Sequence, residues 1–206
     1  MAQEKQVFVL LDVLNFAQCM REVTRILTTE CIDGIILTNI FFGSEISLHG
    51  EYPNLLHLSE LIKHRHPKKS VGIEIYDIKD VDRLESTIQK SKEIKLDMLW
   101  CRNGNTIVDI LNPEDIIVSN QDYGTPPELE QVIAIKNSLL VSQKLVLTSG
   151  YSTENVEPYV PYGDKFIVNG SVRSENDTDL EHCPKKMKTF CQKVKNPTPS
   201  FVAATN

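Results

Sequence analysis

Five residues in two short turns have the types and spacing to hold an anion. Ser149-Gly150 follows the apolar run Leu145–Leu147, and Asn169-Gly170-Ser171 follows the apolar run Phe166–Val168. Small residues at strand ends leave backbone N–H groups uncovered. Two such turns side by side, with the hydroxyls of Ser149 and Ser171, make a cradle for a phosphate. A helix start is expected at Ser152-Thr153-Glu154-Asn155, and its N-terminus would strengthen the positive field. The same residues also suit ordinary strand-to-helix turns, where small side chains only ease packing.

A second set lies just after strand-like runs: Asp12, Asn39, Asp77, Arg102, Asn103, Asn120 and Asp122. In a barrel of parallel strands these ends share one mouth. Asp12 and Asp77 can then act as acid or base or ligate a cation through oxygen, and Arg102 can pair with an anionic substrate group. Helix N-capping is the competing role for each aspartate. Glu74 alternates with Gly72 and Tyr76, while Val71, Ile73 and Ile75 occupy the other face of the same strand. The apolar face suits the helix side of a barrel wall, so Glu74 points inward, where an unpaired carboxylate is costly. It is either half of an internal salt bridge or hydrogen-bond network, or a catalytic carboxylate with a raised pKa. The candidates are therefore Asp12, Glu74 and Arg102 for catalysis and Ser149, Gly150, Asn169, Gly170 and Ser171 for phosphate. Asn39, Asp77, Asn120 and Asp122 are further mouth residues. No metal site and no cofactor are expected.

The elements that must position these groups alternate. Strand-like runs at Val7–Leu11, Ile35–Leu37, Val71–Tyr76, Met98–Cys101, Ile116–Val118, Leu145–Leu147 and Phe166–Val168 are interleaved with apolar residues at helical spacing. Helices are expected over Phe16 to Leu27, from Pro53-Asn54, after Asp80, from Pro126-Pro127, and over Leu180 to Val194 with Pro184 in the first turn. Alternation of this kind predicts an α/β fold, a TIM-like (β/α) barrel, with a doubly wound open sheet as the rival. A full barrel takes roughly 250 residues, and this chain has 206. One strand is accordingly expected to be incomplete or replaced, with Asn103-Gly104-Asn105 folding Ile107-Val108 back as an antiparallel hairpin. Residues 1–195 are read as one barrel domain and 196–206 as a flexible tail.

Composition narrows the partners. A net charge of −6 with one basic cluster, Lys63 to Lys69, argues against nucleic acid; that cluster reads as a solvated helix end. No run approaches the ~18 apolar residues of a membrane span. Five cysteines without a CxxC pair suggest a reducing, cytoplasmic setting, with the thiols mostly buried as small apolar groups. His57 and His64 share a helix face that reads as solvent. No GxGxxG follows the first strand, and no serine or cysteine sits in a nucleophile motif. Phe41 and Phe42, in a loop with Gly43, either cover the mouth, fill an oligomer contact or pack as ordinary loop residues.

From Val118-Ser119-Asn120 through Gly124-Thr125-Pro126-Pro127 the chain resembles the BtpA/SgcQ family of TIM-barrel proteins. Ser119 stands for that family's first turn threonine, Gly124 for its second turn glycine, and Asn120 replaces the first glycine. Ser149-Gly150, Glu154-Asn155-Val156 and Ile167 through Val172 resemble its last two strands. Ser70 through Ile73, and Ile32 through Ile36 with Thr38-Asn39, resemble earlier ones. The resemblance implies a phosphate-binding barrel whose reaction is poorly defined. Three departures stand out. Asp12-Val13-Leu14-Asn15 replaces a proline-rich turn, Thr38 replaces a glutamate, and Gly104 to Pro113 replaces a strand carrying a Lys-His pair. Two functions follow. One is a barrel that binds a small phosphorylated or anionic molecule at its mouth. The other is a non-catalytic interaction or assembly protein, such as a homo-oligomer, with a filled mouth.

Overall fold

The computed structural model describes residues 4–13, 15–38, 52–76, 81–103, 106–120, 122, 124–174 and 181–197. Its eight strands are β1 (Gln6–Asp12), β2 (Gly34–Thr38), β3 (Ser70–Tyr76), β4 (Met98–Asn103), β5 (Thr106–Asp109), β6 (Asp115–Val118), β7 (Lys144–Leu147) and β8 (Lys165–Val168). The helices are α1 (Phe16–Leu27), α2 (Tyr52–Arg65), α3 (Val81–Glu93), α4 (Leu129–Ser138) and α5 (Pro184–Lys195). The sheet runs β5-β4-β3-β2-β1-β8-β7-β6, so its two outer strands are consecutive in the chain. They lie side by side without a ladder among the described residues. The result is a nearly closed barrel of the TIM type.

The expected replacement is present. β5 runs antiparallel to β4, with Trp100 opposite Asp109 and Arg102 opposite Ile107; every other ladder is parallel. A hairpin thus stands where a crossover helix and a parallel strand would be, which is how this length reaches eight strands. Gly104 and Asn105 of that turn lie outside the described residues, as do Asn39, Asp77, Asp80, the loop with Phe41 and Phe42, and residues 198–206 of the tail.

Alternation along the strands divides the core in two. Phe8, Ile36, Met98, Trp100, Ile107, Val146 and Ile167 fill the barrel interior. Val7, Val9, Leu11, Val71, Ile73 and Ile75 face outward into the larger cluster with α1, α2 and α5. In α1, Cys19, Glu22, Val23, Ile26 and Leu27 are buried at spacings of three and four, and Asn15 caps it by accepting from the Gln18 amide at 2.9 Å. His57 and His64 are exposed on α2, as the sequence implies.

Three helix starts differ from the sequence reading; the last helix, expected from Leu180, begins at Pro184 after His182 pairs with Arg173 in an isolated bridge. No α-helix begins at Ser152. Ser152 and Asn155 close a tight turn on themselves, with the Ser152 amide donating to Asn155 Oδ1 at 2.8 Å and Asn155 Nδ2 donating to the Gly150 carbonyl at 2.9 Å. Pro158 and Pro161 then limit the chain to a 3₁₀ turn at Glu157–Tyr159. α4 starts at Leu129 rather than at the Pro126-Pro127 pair, since a residue before proline is disfavoured in helical conformation.

A repeated device fixes the N-terminal end of the barrel. Asp33, Asp97 and Asp164 each immediately precede a strand. Their amides donate to the carbonyls of Val7, Val71 and Leu145 at 2.9, 2.9 and 2.8 Å. Their carboxylates accept the amides of those same residues at 2.7, 2.8 and 2.7 Å. Each carboxylate also holds a lysine from a covering helix: Lys195 at 2.8 Å, Lys63 at 2.7 Å and Lys136 at 2.7 Å. At the inverted strand Asp109 does similar work, accepting from the amides of Leu99, Leu111 and Asn112. Burial raises the Asp109 pKa, and these hydrogen bonds pull it back.

Two variants test these contacts. Asp164→Ala leaves the Leu145 amide without its acceptor and is expected to lower stability by about 1–3 kcal/mol in urea unfolding, with Asp164→Asn milder. Glu22 on α1 accepts from the His182 backbone N–H at 2.7 Å and lies 3.0 Å from His182 Nδ1. Burial pushes the Glu22 carboxyl up, but the His182 hydrogen bonds and Arg25 hold it below its ordinary 4.5. Its contribution is therefore complete above pH 4.5 and is lost as the pH falls through the lower, folded-state value. Urea midpoints measured from neutral to acid pH should show a shallower acid loss in Glu22→Gln.

Candidate functional site

At the C-terminal end of the strands lies an open cavity of about 550 Å³, bounded by Thr148 to Ser152, Asn155, Ile167 to Ser171, Arg102, Gly124 and Arg173, with Leu10 at its base. All five residues read as a phosphate cradle, Ser149, Gly150, Asn169, Gly170 and Ser171, line this one space. β7 and β8 pair in parallel, Val146 with Lys165 and Leu147 with Phe166, which carries their terminal turns to the same rim.

The local geometry explains the small residues. Ser149 and Gly150 both have positive φ, 77° and 66°. A side chain at Gly150 would stand 2.3 Å from the Thr125 carbonyl carbon, so only glycine lets the turn press against the loop after β6. Ser149 is not glycine and holds its strained backbone beside a 2.8 Å hydroxyl–hydroxyl bond to Ser119. Gly170 faces open space: a side chain there would meet nothing within 4 Å. Gly170 to Val172 forms a 3₁₀ turn in which Val172 and Arg173 donate to the carbonyls of Asn169 and Gly170. The turn's first amides, those of Gly170 and Ser171, have no carbonyl partner within it. The Ser171 hydroxyl donates to the Tyr151 carbonyl at 2.7 Å, tying the two halves of the cradle together. Tyr151 itself is buried, edge-on to Tyr159 and Phe166 at 5.1 and 6.2 Å, and burial raises its phenol pKa.

Two ion pairs flank the cavity. Arg102 Nε donates to Glu74 Oε1 at 2.8 Å, and the Arg102 guanidinium lies over the Tyr76 ring at 5.7 Å. Glu74 is fully buried, so of its two sequence readings the internal salt bridge is the one built here. Arg173 Nη2 donates to Asp12 Oδ2, which also receives Asn169 Nδ2 at 3.1 Å. Asp12 is thus anchored to β8's turn rather than to α1, and Asn15 takes the capping role. Among the described residues, buried Asp12 Oδ1, Asn169 Oδ1, Arg173 Nε, Glu74 Oε2 and Tyr151 Oη have no hydrogen-bond partner.

Asn120 and Asp122 are not among the residues lining the cavity. Asn120 donates to the Pro126 carbonyl at 3.1 Å, and Asp122 is exposed in the same loop. Arg173, Asn155 and Tyr151 line the cavity but were not among the candidate site residues. Arg173 follows Ser171 by two positions, so the register of the cradle turn was the available signal; its partner Asp12 lies 161 residues away.

No protein-family model and no curated protein matches the chain. Solved structures do. The chain is similar to 3-hexulose-6-phosphate synthase from Salmonella typhimurium, with a TM-score of 0.53 and 13% identity over 92% of this chain and 98% of that one. It is similar to orotidine 5'-phosphate decarboxylase from Pyrococcus horikoshii OT3, with a TM-score of 0.56 and 14% identity over 92% and 99%. A native KDPGal structure gives a TM-score of 0.57 and 9% identity over 90% and 92%. At these identities the likeness establishes the TIM-barrel fold.

Replacing Arg173 with Met strands the Asp12 carboxylate in the interior and is expected to cost about 3–5 kcal/mol in chemical denaturation. The double variant with Asp12→Asn should recover much of that loss.

Proposed function

We propose that this chain binds a small phosphorylated molecule at the barrel mouth, as a divergent relative of the BtpA/SgcQ barrels working in a reducing cytoplasm. The observation that carries the reading is convergence: five small or polar residues from two separate turns line one open cavity. In this reading the phosphate sits on the Gly150, Gly170 and Ser171 amides with the Ser149 hydroxyl, and the rest of the ligand extends toward Arg102. Two of the solved structures with this fold are enzymes whose names carry a phosphate-bearing compound. The five free cysteines support the reducing setting.

Asp12, Glu74 and Arg102 are the proposed reaction residues, with unequal freedom. Glu74 is committed to Arg102 through one oxygen. Asp12 Oδ1 has no partner among the described residues, and that atom is the better proton acceptor of the two. Arg102 is positioned to hold a second polar group of the ligand. A barrel decayed into a purely interacting protein predicts a plugged mouth; the cavity of about 550 Å³ bounded by the described residues favours binding instead.

Gly170→Asp tests the site, because its side chain has room and brings negative charge to the cradle. Inorganic phosphate and a panel of phosphorylated metabolites, added to the full chain, should raise its melting temperature. A ligand at 100 times its Kd adds about 2.7 kcal/mol. Gly170→Asp should melt at the same temperature as the unliganded chain and show no ligand shift. A flat response of the unsubstituted protein across the panel overturns the proposal.

A further inference from the structure

Cys31 and Cys191 meet at the end of the barrel opposite the mouth. Cys31 lies in the turn between α1 and β2, and Cys191 on the inner face of α5. The Cys191 thiol donates to the Cys31 carbonyl at 3.3 Å, across 160 residues of sequence, which brings the Cys191 sulfur against the Cys31 residue. They differ in access. Cys191 is 2% exposed, whereas Cys31 is partly exposed. Both line a separate surface cavity of about 230 Å³ with Glu30, Lys188, Gln192 and Lys195. An oxidant the size of hydrogen peroxide fits that space, and two lysines edge it.

We propose that Cys31 and Cys191 are a peroxide-oxidised dithiol site. The Cys31 thiolate attacks one oxygen of hydrogen peroxide. The O–O bond breaks, Cys31 becomes a sulfenic acid, and the other oxygen leaves as water with the thiol proton. The Cys191 sulfur then attacks the Cys31 sulfur. The S–O bond breaks, the S–S bond forms, and the second oxygen leaves as water with the Cys191 proton. Two thiols lose two electrons, and one peroxide becomes two waters. The order follows exposure: Cys31 reaches the oxidant, and Cys191 resolves it from inside. Burial pushes the Cys191 thiol pKa up, which disfavours its direct reaction with an oxidant. The product ties the chain entering β2 to the last turns of α5, beside the Asp33–Lys195 pair.

The test is peptide mapping of the full chain after hydrogen peroxide and thiol blocking. The expected product is a cross-linked Cys31–Cys191 peptide two hydrogens lighter than its parts, within a monomer, and reversed by dithiothreitol. Cys191→Ser should leave a Cys31 sulfenic acid that dimedone traps, and Cys31→Ser should leave Cys191 as a free thiol. Blocked thiols at both positions after oxidation would overturn the proposal. So would a bridge that uses Cys101 or Cys183 instead, or one that joins two chains.

Discussion

The structure depends on keeping its strands in register at the end away from the mouth. Asp33, Asp97 and Asp164 do this by exchanging two hydrogen bonds with a residue of the adjacent strand, as one more rung would. The lysine on each carboxylate brings a helix into the same contact. Each aspartate therefore fixes a strand pair and its cover together: β1 with β2, β3 with β4, and β7 with β8. A slip of one residue would turn every side chain of a strand to the wrong face, moving Glu74 into the helix layer and Ile73 into the interior. With register held at one end, the turns at the other can be built for binding, the division of labour this fold favours.

The mouth is charged without being strongly positive. Both of its arginines meet carboxylates, Arg102 with Glu74 and Arg173 with Asp12. In the proposed reading, an anion here would be held chiefly by amides and hydroxyls fixed in place by tight turns. Such dipoles are oriented before the ligand arrives and need little rearrangement. The positive φ of Ser149 is the conformational cost of aiming them, and contact with Ser119 and the loop at Thr125 keeps it in place.

Much of this was legible in the sequence because it is local. Apolar runs ending in small residues identified β7, β8 and their turns, and the two-residue period in β3 pointed Glu74 inward. Asn103 to Asn105 between apolar residues signalled the hairpin. What could not be read is long-range or competitive. The partner of Asp12 lies on the last strand's turn, and nothing in either neighbourhood names it. The helix expected at Ser152 failed because its polar residues bonded to their own turn and two prolines followed, so a good cap motif lacked a helix to cap. The aspartate before each of three strands was visible all along as a recurring letter, but its meaning requires the neighbouring strand.

The hairpin of β4 and β5 has a cost at the place where the wall should close. Among the described residues no ladder joins β5 to β6, so the barrel carries a seam with backbone donors and acceptors on both lips. Unpaired lips of this kind are templates for a foreign strand. Both are only four residues long. Brevity limits how much intruding chain could pair there, and it lets an interrupted wall remain a single molecule rather than the start of a fibre.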